Sequence, residues 1–121
     1  MLKYTEDHEW ISLDGDIATV GITDHAQDAL GDIVFVEIET EGENLDQNEV
    51  FGTIEAVKTV SDLFMPITGE IIAINTQLED APESVNESPY ENGWMVKIKA
   101  SDLSQIDDLM DASAYKTLIG Q

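Results

Sequence analysis

The 121-residue sequence contains no cysteine, no arginine and only five lysines. Without cysteine, the chain has no disulfide, no thiol nucleophile and no thiolate ligand for a metal ion. Its apolar residues form no run long enough to cross a bilayer, and no basic start followed by an apolar stretch indicates a signal peptide. The sequence therefore predicts a mature intracellular protein that spans no membrane.

Acidic residues are abundant by comparison, because 26 aspartates and glutamates give a formal net charge of −21. Nucleic-acid binding relies on lysine and arginine neutralising phosphates, so this charge argues against a nucleic-acid partner. Like charges on two copies of the chain repel each other, and we therefore expect a monomer. The same charge steers the protein towards basic surfaces of other proteins, in a salt-dependent way.

Short apolar, β-branched segments separated by turn residues recur along the chain. They predict an extended segment within residues 1–14 that ends at Asp14, and strands at about residues 17–22, 33–38, 49–56, 60–65, 70–74 and 94–99. Strands this closely spaced indicate an antiparallel sandwich or flattened barrel rather than parallel strands joined by helices. Short helices are predicted from Asp24, as the capping residue, to Leu30 and over about 101–118. We expect one mainly β domain over 1–121, with the segment 33–38, apolar on both faces at its start, as a central strand.

One lysine stands alone in the middle of the chain, because Lys58 is the only cation between Lys3 and Lys97. Apolar alternation on either side of it predicts a hairpin over about residues 49–65, with Lys58 at or beside the turn. No Asn-Gly or Asp-Gly pair marks this turn, so its type stays open. A charged side chain at such a tip is either a solubilising residue or an attachment point, and spacing alone does not decide between them.

Patterns typical of catalysis or metal binding are weak in the rest of the chain. His8 and His25 have no recognised zinc-ligand spacing, and no serine lies in a nucleophile-elbow pattern. No pair of carboxylates stands out among the many acidic residues. Lys58 is a poor amine catalyst, because Glu55 and Asp62 favour its charged form. We therefore expect a non-enzymatic role.

The stretch from Gly52 to Asp62 closely resembles the lipoyl-attachment segment of the glycine cleavage system H-protein family. The similarity extends over nearly the whole chain. It includes an opening motif (Tyr4-Thr5 with His8-Glu9-Trp10), the segments 15–27 and 30–37, a late loop at 85–94, and the glycines Gly42 and Gly69. The main departure near the lysine is Ala56, where the family usually has serine.

This resemblance implies a lipoyl-domain-like barrel-sandwich hybrid that acts as a non-catalytic shuttle, with lipoate joined to Lys58 through an amide. The implied partners are a pyridoxal-phosphate-dependent glycine decarboxylase, a tetrahydrofolate-dependent aminomethyltransferase and an FAD-containing dihydrolipoamide dehydrogenase. A lipoate ligase or lipoyl transferase is implied for attachment. The implied location is the bacterial cytoplasm, or the mitochondrial matrix if the chain is a processed eukaryotic form.

In this family the loaded arm folds into a cleft lined by acidic residues, and the matching positions here are Glu9 and Asp62. Asp7 lies nearby, where other members have a small hydroxyl residue. A carboxylate in the cleft would pair with the cationic amine on the arm, and partial exclusion of water would protect it. Glu55 is expected to serve recognition by a basic ligase.

Other functions remain open on the sequence alone. Biotin carriers place methionine on both sides of their lysine, whereas Val57 and Thr59 flank Lys58 here. A relay protein that donates lipoate to other complexes would have the same sequence features as the shuttle. An unmodified acidic adaptor would tolerate Lys58→Arg, whereas a carrier would not, because arginine cannot form the amide.

Overall fold

Antiparallel strands dominate the computed structural model, which describes residues 2–120. The strands are β1 (Leu2–Tyr4), β2 (Glu9–Asp14), β3 (Ile17–Ile22), β4 (Ile33–Glu37), β5 (Asn44–Leu45), β6 (Val50–Ala56), β7 (Val60–Phe64), β8 (Gly69–Ile74) and β9 (Val96–Ala100). The helices are α1 (Asp24–Leu30), α2 (Gln77–Asp80), α3 (Ser84–Glu87), a 3₁₀ helix (Leu103–Asp108) and α4 (Ala112–Leu118). No helix within these 119 positions, 2 to 120, is long and apolar enough to cross a membrane.

The strands form two antiparallel sheets that are not closed into a barrel. The larger sheet has the order β1-β2-β3-β9-β8-β5, and the smaller one has the order β4-β6-β7. The predicted fold class, mainly β and antiparallel with short helices and a helical C-terminus, is confirmed in this open form. β1, β5 and α2 were not among the predicted elements, because two- to four-residue elements carry too little periodicity to be read from sequence.

One core of buried apolar residues draws on both sheets. In the larger sheet, Val20 on β3 pairs with Val96 on β9, and both side chains are fully buried. In the smaller sheet, Ile54 and Leu63 face the same core. Burying a side chain of this size stabilises the fold by about 1.5–3 kcal/mol. Alternation of apolar and polar residues along the strands directs these apolar side chains to the shared core, and their burial there holds the two sheets together.

Trp10 packs deep in this fold because its strand partner is a glycine. The register of β2 and β3 places Trp10 opposite Gly21, and a Cβ at position 21 would lie 2.7 Å from the indole ring. The indole N–H donates a 2.9 Å hydrogen bond to the carbonyl of Pro89. The late loop at 85–94 is thereby fixed to β2, close to Glu9, the first residue of that strand.

The prediction that the segment 33–38 is a central strand was wrong. β4 pairs only with β6 among the described residues, so it is an edge strand, and Val34 and Phe35 are each 46% exposed. A shift in register between Ile33 and Phe35 marks a β-bulge, which interrupts the alternation of faces. Apolar residues at successive positions here therefore indicate a bulged edge with an apolar outer face, instead of burial on both sides.

The first helix has the predicted extent, Asp24–Leu30, but its N-cap lies one residue earlier than predicted. Thr23, not Asp24, is the N-cap, and its hydroxyl accepts a hydrogen bond from the N–H of Ala26. The Asp24 carboxylate instead accepts from the Gln27 side-chain amide. Thr23 is fully buried, so the capping hydroxyl is held by its surroundings as well as by the helix.

The C-terminal segment packs on β1 and on the turn before β8. Tyr4 and Met110 exchange two backbone hydrogen bonds of 2.8 and 2.9 Å. The side-chain oxygen of Gln105, in the 3₁₀ helix, accepts a 2.6 Å hydrogen bond from the N–H of Thr68. The Asp111 carboxylate caps α4 by accepting from the N–H of Ala114. These contacts place α4 beside the opening segment of the chain.

Candidate functional site

Lys58 lies at the tip of the hairpin formed by β6 and β7. The N–H of Ala56 donates a 2.8 Å hydrogen bond to the carbonyl of Thr59, which leaves Val57 and Lys58 as a two-residue turn. A second bond, from the N–H of Val57 to the carbonyl of Asp32, ties the turn to the segment before β4. Lys58 is exposed, and the structure gives its side chain no hydrogen bond or ion pair with residues 2–120. Its amine is therefore accessible to a modifying enzyme.

A cleft of about 150 Å³ opens between this hairpin and the opening segment of the chain. It brings together the three acidic residues predicted to line an arm cleft, Asp7, Glu9 and Asp62. The other lining residues are mostly apolar and come from β3, α1, β6 and β7: Ile22, Ala26, Ala29, Leu30, Ile54 and Leu63, with His8 and Ser61. The cleft thus combines apolar walls with carboxylates, a combination that suits an aliphatic arm ending in a cation.

Glu9 lies at the buried side of this cleft and is only 2% exposed. One carboxylate oxygen accepts a 2.8 Å hydrogen bond from the N–H of Phe64, and the other accepts from the Thr5 hydroxyl at 3.2 Å. The Thr5 oxygen itself accepts from the N–H groups of Asp7 and Glu9. Thr5 therefore has its own hydrogen available for Glu9, and the carboxylate is held in one orientation.

The protonation of Glu9 depends strongly on this burial. Burial raises the pKa of the Glu9 carboxyl from 4.5 to about 8, and the nearby charge of Asp7 adds to the rise. The hydrogen bonds from Phe64 and Thr5 act in the opposite direction, because they favour the charged form. Near neutral pH, Glu9 is therefore poised to lose its proton when a cation enters the cleft.

Asp62 and Asp7 occupy the rim of the cleft, and both are exposed. The register of β6 and β7 pairs Asp62 with Thr53, whereas its neighbour Ser61 pairs with Ile54 on the core side. Since neighbouring residues on a strand point to opposite faces, Asp62 points away from the core and contributes to the mouth of the cleft. Glu9 contributes to the interior of the cleft, because it is buried. The three carboxylates are therefore not equivalent.

Sequence reasoning missed the residues that hold the opening segment in place. His8 has a φ of 66°, a left-handed conformation that is uncommon for a residue other than glycine. Its Nδ1 lies 2.9 Å from the hydroxyl of Tyr115 on α4, and that hydroxyl lies 2.7 Å from the Thr23 hydroxyl. His8 and Tyr115 are 107 residues apart, so no local pattern could have joined them.

Glu55 does not belong to the cleft. It is exposed on the outer face of the smaller sheet, where it pairs with Phe35 on β4 and with Val60 on β7. The core-facing neighbours Ile54 and Ala56 alternate with it along β6. Glu55 therefore lies close to the lysine turn, on the same outer face of the sheet as Asp62, but it does not line the cleft.

A second cavity of the molecule is separate from the predicted site. A larger cavity, of about 390 Å³, lies between α1, β1 and α4 and is lined by Tyr4, Tyr90 and Tyr115 among others. None of the predicted site residues lines it. His8 and His25 lie close, with ring centroids 4.9 Å apart, but no three His, Asp or Glu side chains between residues 2 and 120 are grouped to hold a metal ion.

Comparison with known proteins gives a consistent result over the whole chain. A family model described as glycine cleavage H-protein matches residues 2–121. The glycine cleavage system H protein of Bacteroides fragilis is 57% identical over 118 residues, covering 98% of this chain and 94% of that protein. The protein of the same name from Staphylococcus carnosus is 53% identical, covering 99% and 95%. The crystal structure of a glycine cleavage system H protein from Mycobacterium marinum superposes with a TM-score of 0.90, at 37% identity, covering 99% of this chain and 97% of that one.

Proposed function

The chain belongs to the glycine cleavage H-protein family, and on this premise we propose that it is a lipoyl carrier with lipoate attached at Lys58. The observation that carries the proposal is the exposed Lys58 at the turn of a hairpin, beside a cleft with apolar walls and three carboxylates. This proposal assigns the whole chain to one carrier domain. It gives the chain no catalytic residue of its own.

The residues around Lys58 fit a lipoyl group. The turn presents the amine to solvent, because Val57, Lys58 and Thr59 are all exposed. When bound, lipoate supplies the redox-active sulfur pair that this cysteine-free chain lacks. The amide bond removes the positive charge of the lysine, so attachment makes the hairpin tip neutral and the chain as a whole more acidic.

The cleft residues act on an amine carried at the end of the arm. Asp62 and Asp7, at the mouth, attract a cation by charge, and Glu9 in the interior accepts it once its own proton is lost. The apolar walls from Ile22, Ile54 and Leu63 restrict access of water to the same space. We infer that the cleft shelters the cargo between visits to the partner enzymes.

Four enzymes are the proposed partners. They are glycine decarboxylase with pyridoxal phosphate, the tetrahydrofolate-dependent aminomethyltransferase, dihydrolipoamide dehydrogenase with FAD, and a lipoate ligase or lipoyl transferase. The tether holds its cargo near each active site at an effective concentration on the order of millimolar. The formal charge of −21 supports steering towards basic faces of these enzymes. The matched relatives are bacterial, which supports the expected cytoplasmic setting.

Glu55 is the proposed recognition residue for the attaching enzyme. It lies three positions before Lys58, on the exposed face of β6, and no cation lies beside it in the paired positions of β4 and β7. An uncompensated carboxylate there attracts a basic ligase to the lysine turn. This role is separate from the cleft, because Glu55 does not line it.

A reconstituted reaction tests the proposal. Purified glycine decarboxylase is incubated with glycine and labelled bicarbonate, and exchange of the label into glycine is measured with and without the lipoylated chain. We expect exchange to depend on the chain and to disappear with Lys58→Arg, which keeps the positive charge but cannot be acylated. Equal exchange with Lys58→Arg would contradict the carrier role. An unmodified adaptor is the alternative that this result would favour.

A further inference from the structure

The side chain of Asn86, in α3, makes three hydrogen bonds to the end of α1 and the start of β4. Its Oδ1 accepts a 2.8 Å bond from the N–H of Ile33. Its Nδ2 donates to the carbonyl of Gly31 and to the side-chain oxygen of Gln27, each at 2.9 Å. A backbone N–H can only donate and a carbonyl can only accept, so Ile33 and Gly31 fix the orientation of the amide. Asn86 therefore clamps the chain on both sides of Asp32.

The backbone around Asn86 is itself fixed in the core. Its neighbour Val85 is fully buried. Gly93 lies so close to α3 that a Cβ at this position would be 2.9 Å from the Cα of Val85. The N–H of Gly93 also donates a 2.8 Å hydrogen bond to the carbonyl of Ser88, at the end of α3. A four-residue helix is not stable by itself, so this packing holds Asn86 in place.

The peptide unit between Asp32 and Ile33 connects Asn86 to the lysine turn. The N–H of this unit is the group that donates to Asn86, and its C=O accepts a 3.2 Å hydrogen bond from the N–H of Val57. The unit is trans, so its N–H and C=O point in opposite directions within one rigid plane. Asn86 and Val57 are therefore joined by two hydrogen bonds through one planar group. Each of these bonds polarises the group and strengthens the other.

The lysine turn depends on this connection because it lies beyond the paired part of the sheet. Pairing between β4 and β6 ends at Ile33 and Ala56. Between residues 2 and 120, the bond from Val57 is the only hydrogen bond that joins the two turn residues to a part of the chain outside the hairpin. The bond that closes the turn lies within the hairpin, so it does not fix the direction of Lys58 relative to the rest of the molecule.

We propose that Asn86 is a positioning residue for the modification of Lys58. Through the peptide unit of Asp32 and Ile33, it holds the lysine turn in the conformation in which the attaching enzyme acylates the amine. This inference rests on the proposed carrier function. In the acylation, the deprotonated Lys58 amine attacks the carbonyl of lipoate activated as a mixed anhydride with a nucleotide phosphate, the amide bond forms and the phosphate leaves. A turn that is already held in the bound conformation loses less freedom on binding, so the enzyme binds it more tightly.

Two asparagine variants separate positioning from general stability. Asn86→Ala removes the clamp. Asn75→Ala is the matched control, because the Asn75 amide also donates to two backbone carbonyls, those of Asn92 and Trp94, at 2.8 Å each, and accepts from a backbone N–H. None of these partners belongs to α1, β4 or the lysine hairpin. Urea unfolding measures how much stability each variant loses.

The first measurement is hydrogen exchange of the Val57 amide, followed by NMR on the full-length chain. We expect Asn86→Ala to speed this exchange by roughly fivefold beyond the change in Asn75→Ala, on the scale of one net hydrogen bond. The second measurement is steady-state lipoylation by a purified lipoate ligase with ATP and lipoate. We expect Asn86→Ala to raise the KM for the chain by about fivefold and to leave kcat nearly unchanged, because pre-organisation acts on binding. Asn75→Ala leaves the KM unchanged.

The outcomes separate the positioning role from the carrier function. Equal exchange of the Val57 amide in the two variants, or an unchanged KM in Asn86→Ala, would overturn the positioning role. An unaltered chain that accepts no lipoate would contradict the carrier function instead, and exchange of the Val57 amide would still show whether Asn86 holds the turn. Circular dichroism checks the fold. If Asn86→Ala does not fold, Asn86→Gln takes its place with the same expected changes, because its longer side chain moves the amide away from Ile33.

Discussion

The carboxylate of Glu9 accepts a 2.8 Å hydrogen bond from the backbone N–H of Phe64. This bond joins the first residue of β2, in the larger sheet, to the last residue of β7, in the smaller sheet. β7 leads directly from the lysine turn, so Glu9 connects the scaffold to the strand that positions Lys58. The same carboxylate lines the cleft beside the hairpin, which makes it both a structural link and a candidate ligand for the cargo.

Replacing Glu9 tests its part in sheltering the cargo. We expect Glu9→Ala to shorten the lifetime of the aminomethyl-loaded protein, because the variant lacks the carboxylate that holds the amine. Lipoylation is expected to stay intact, since Glu9 is buried away from the exposed Lys58. Loss of the aminomethyl group is followed by mass spectrometry over time. Glu6→Ala is the matched control on the same segment, because Glu6 is exposed and does not line the cleft. Equal lifetimes for Glu9→Ala and the unaltered chain would show that Glu9 does not protect the aminomethyl group.

The raised pKa of Glu9 makes stability depend on pH in a defined direction. Its pKa is about 8 in the folded chain against an ordinary value of 4.5, so folding favours the protonated form. The stabilising contribution is present below about pH 4.5 and is lost as pH rises through about 8. Burial lowers the pKa of His8, which contributes with the opposite sign, so the comparison must isolate Glu9.

Urea unfolding of the unaltered chain and of Glu9→Gln between pH 5 and 9 provides that comparison. The glutamine keeps an oxygen that can accept from Phe64 but does not titrate. We expect the free energy of unfolding of the unaltered chain to fall relative to the variant as pH rises from 5 to 8. A difference that stays constant over this range, or that grows with pH, would show that burial does not govern the protonation of Glu9.

Tyr115 provides a test of the connection between the C-terminal helix and the opening segment. Its hydroxyl bonds with Nδ1 of His8 and with the buried hydroxyl of Thr23. Tyr115→Phe leaves both partners without this bond, so we expect the free energy of unfolding to fall by about 1–3 kcal/mol. Tyr4→Phe is the control, because its ring stacks on Tyr115 at 4.6 Å and is retained in the variant. Equal stability of Tyr115→Phe and the unaltered chain would contradict a structural role for the hydroxyl.

Attachment at Lys58 should depend on the charge of Glu55. We expect Glu55→Ala to lower the initial rate of lipoylation by a purified lipoate ligase, while the fold is preserved. Glu70→Ala is the control, since Glu70 is an acidic strand residue on β8 in the other sheet. Rates are measured by intact mass at several salt concentrations. A rate equal to that of the control variant would remove Glu55 from ligase recognition.

Sequence reasoning predicted the strands where side chains alternate or β-branched residues run together, as in β3 and β6. It went wrong where the backbone departs from regular pairing. The bulge between Ile33 and Phe35 places two successive apolar residues on exposed surface, and a pattern that usually means a central strand here means an edge. The cap of α1 was misplaced by one residue, because Thr23 and Asp24 are both common N-caps and only the bond to Ala26 distinguishes them.

In the candidate site too, local features were predictable and features that depend on distant contacts were not. The position of Lys58 between two apolar runs predicted a hairpin turn, which needs only local information. The burial of Glu9 has no local signal, because acidic residues are almost always exposed and its partner Phe64 is 55 residues away. The contribution of His8 and Tyr115 likewise depends on contacts across the fold. Asp7, Glu9 and Asp62 were grouped through family resemblance, and the structure adds that one is buried while two lie at the rim.

The state of Lys58 tests the carrier account most directly. The chain is produced in cells supplied with lipoate and a lipoate ligase, and its intact mass and tryptic peptides are measured. A lipoyl carrier shows one lipoyl increment, located at Lys58, with no cleavage by trypsin after that residue and no increment in Lys58→Arg. An unmodified Lys58, in cells where another lipoyl protein is fully modified, would show that this chain is not a lipoyl carrier.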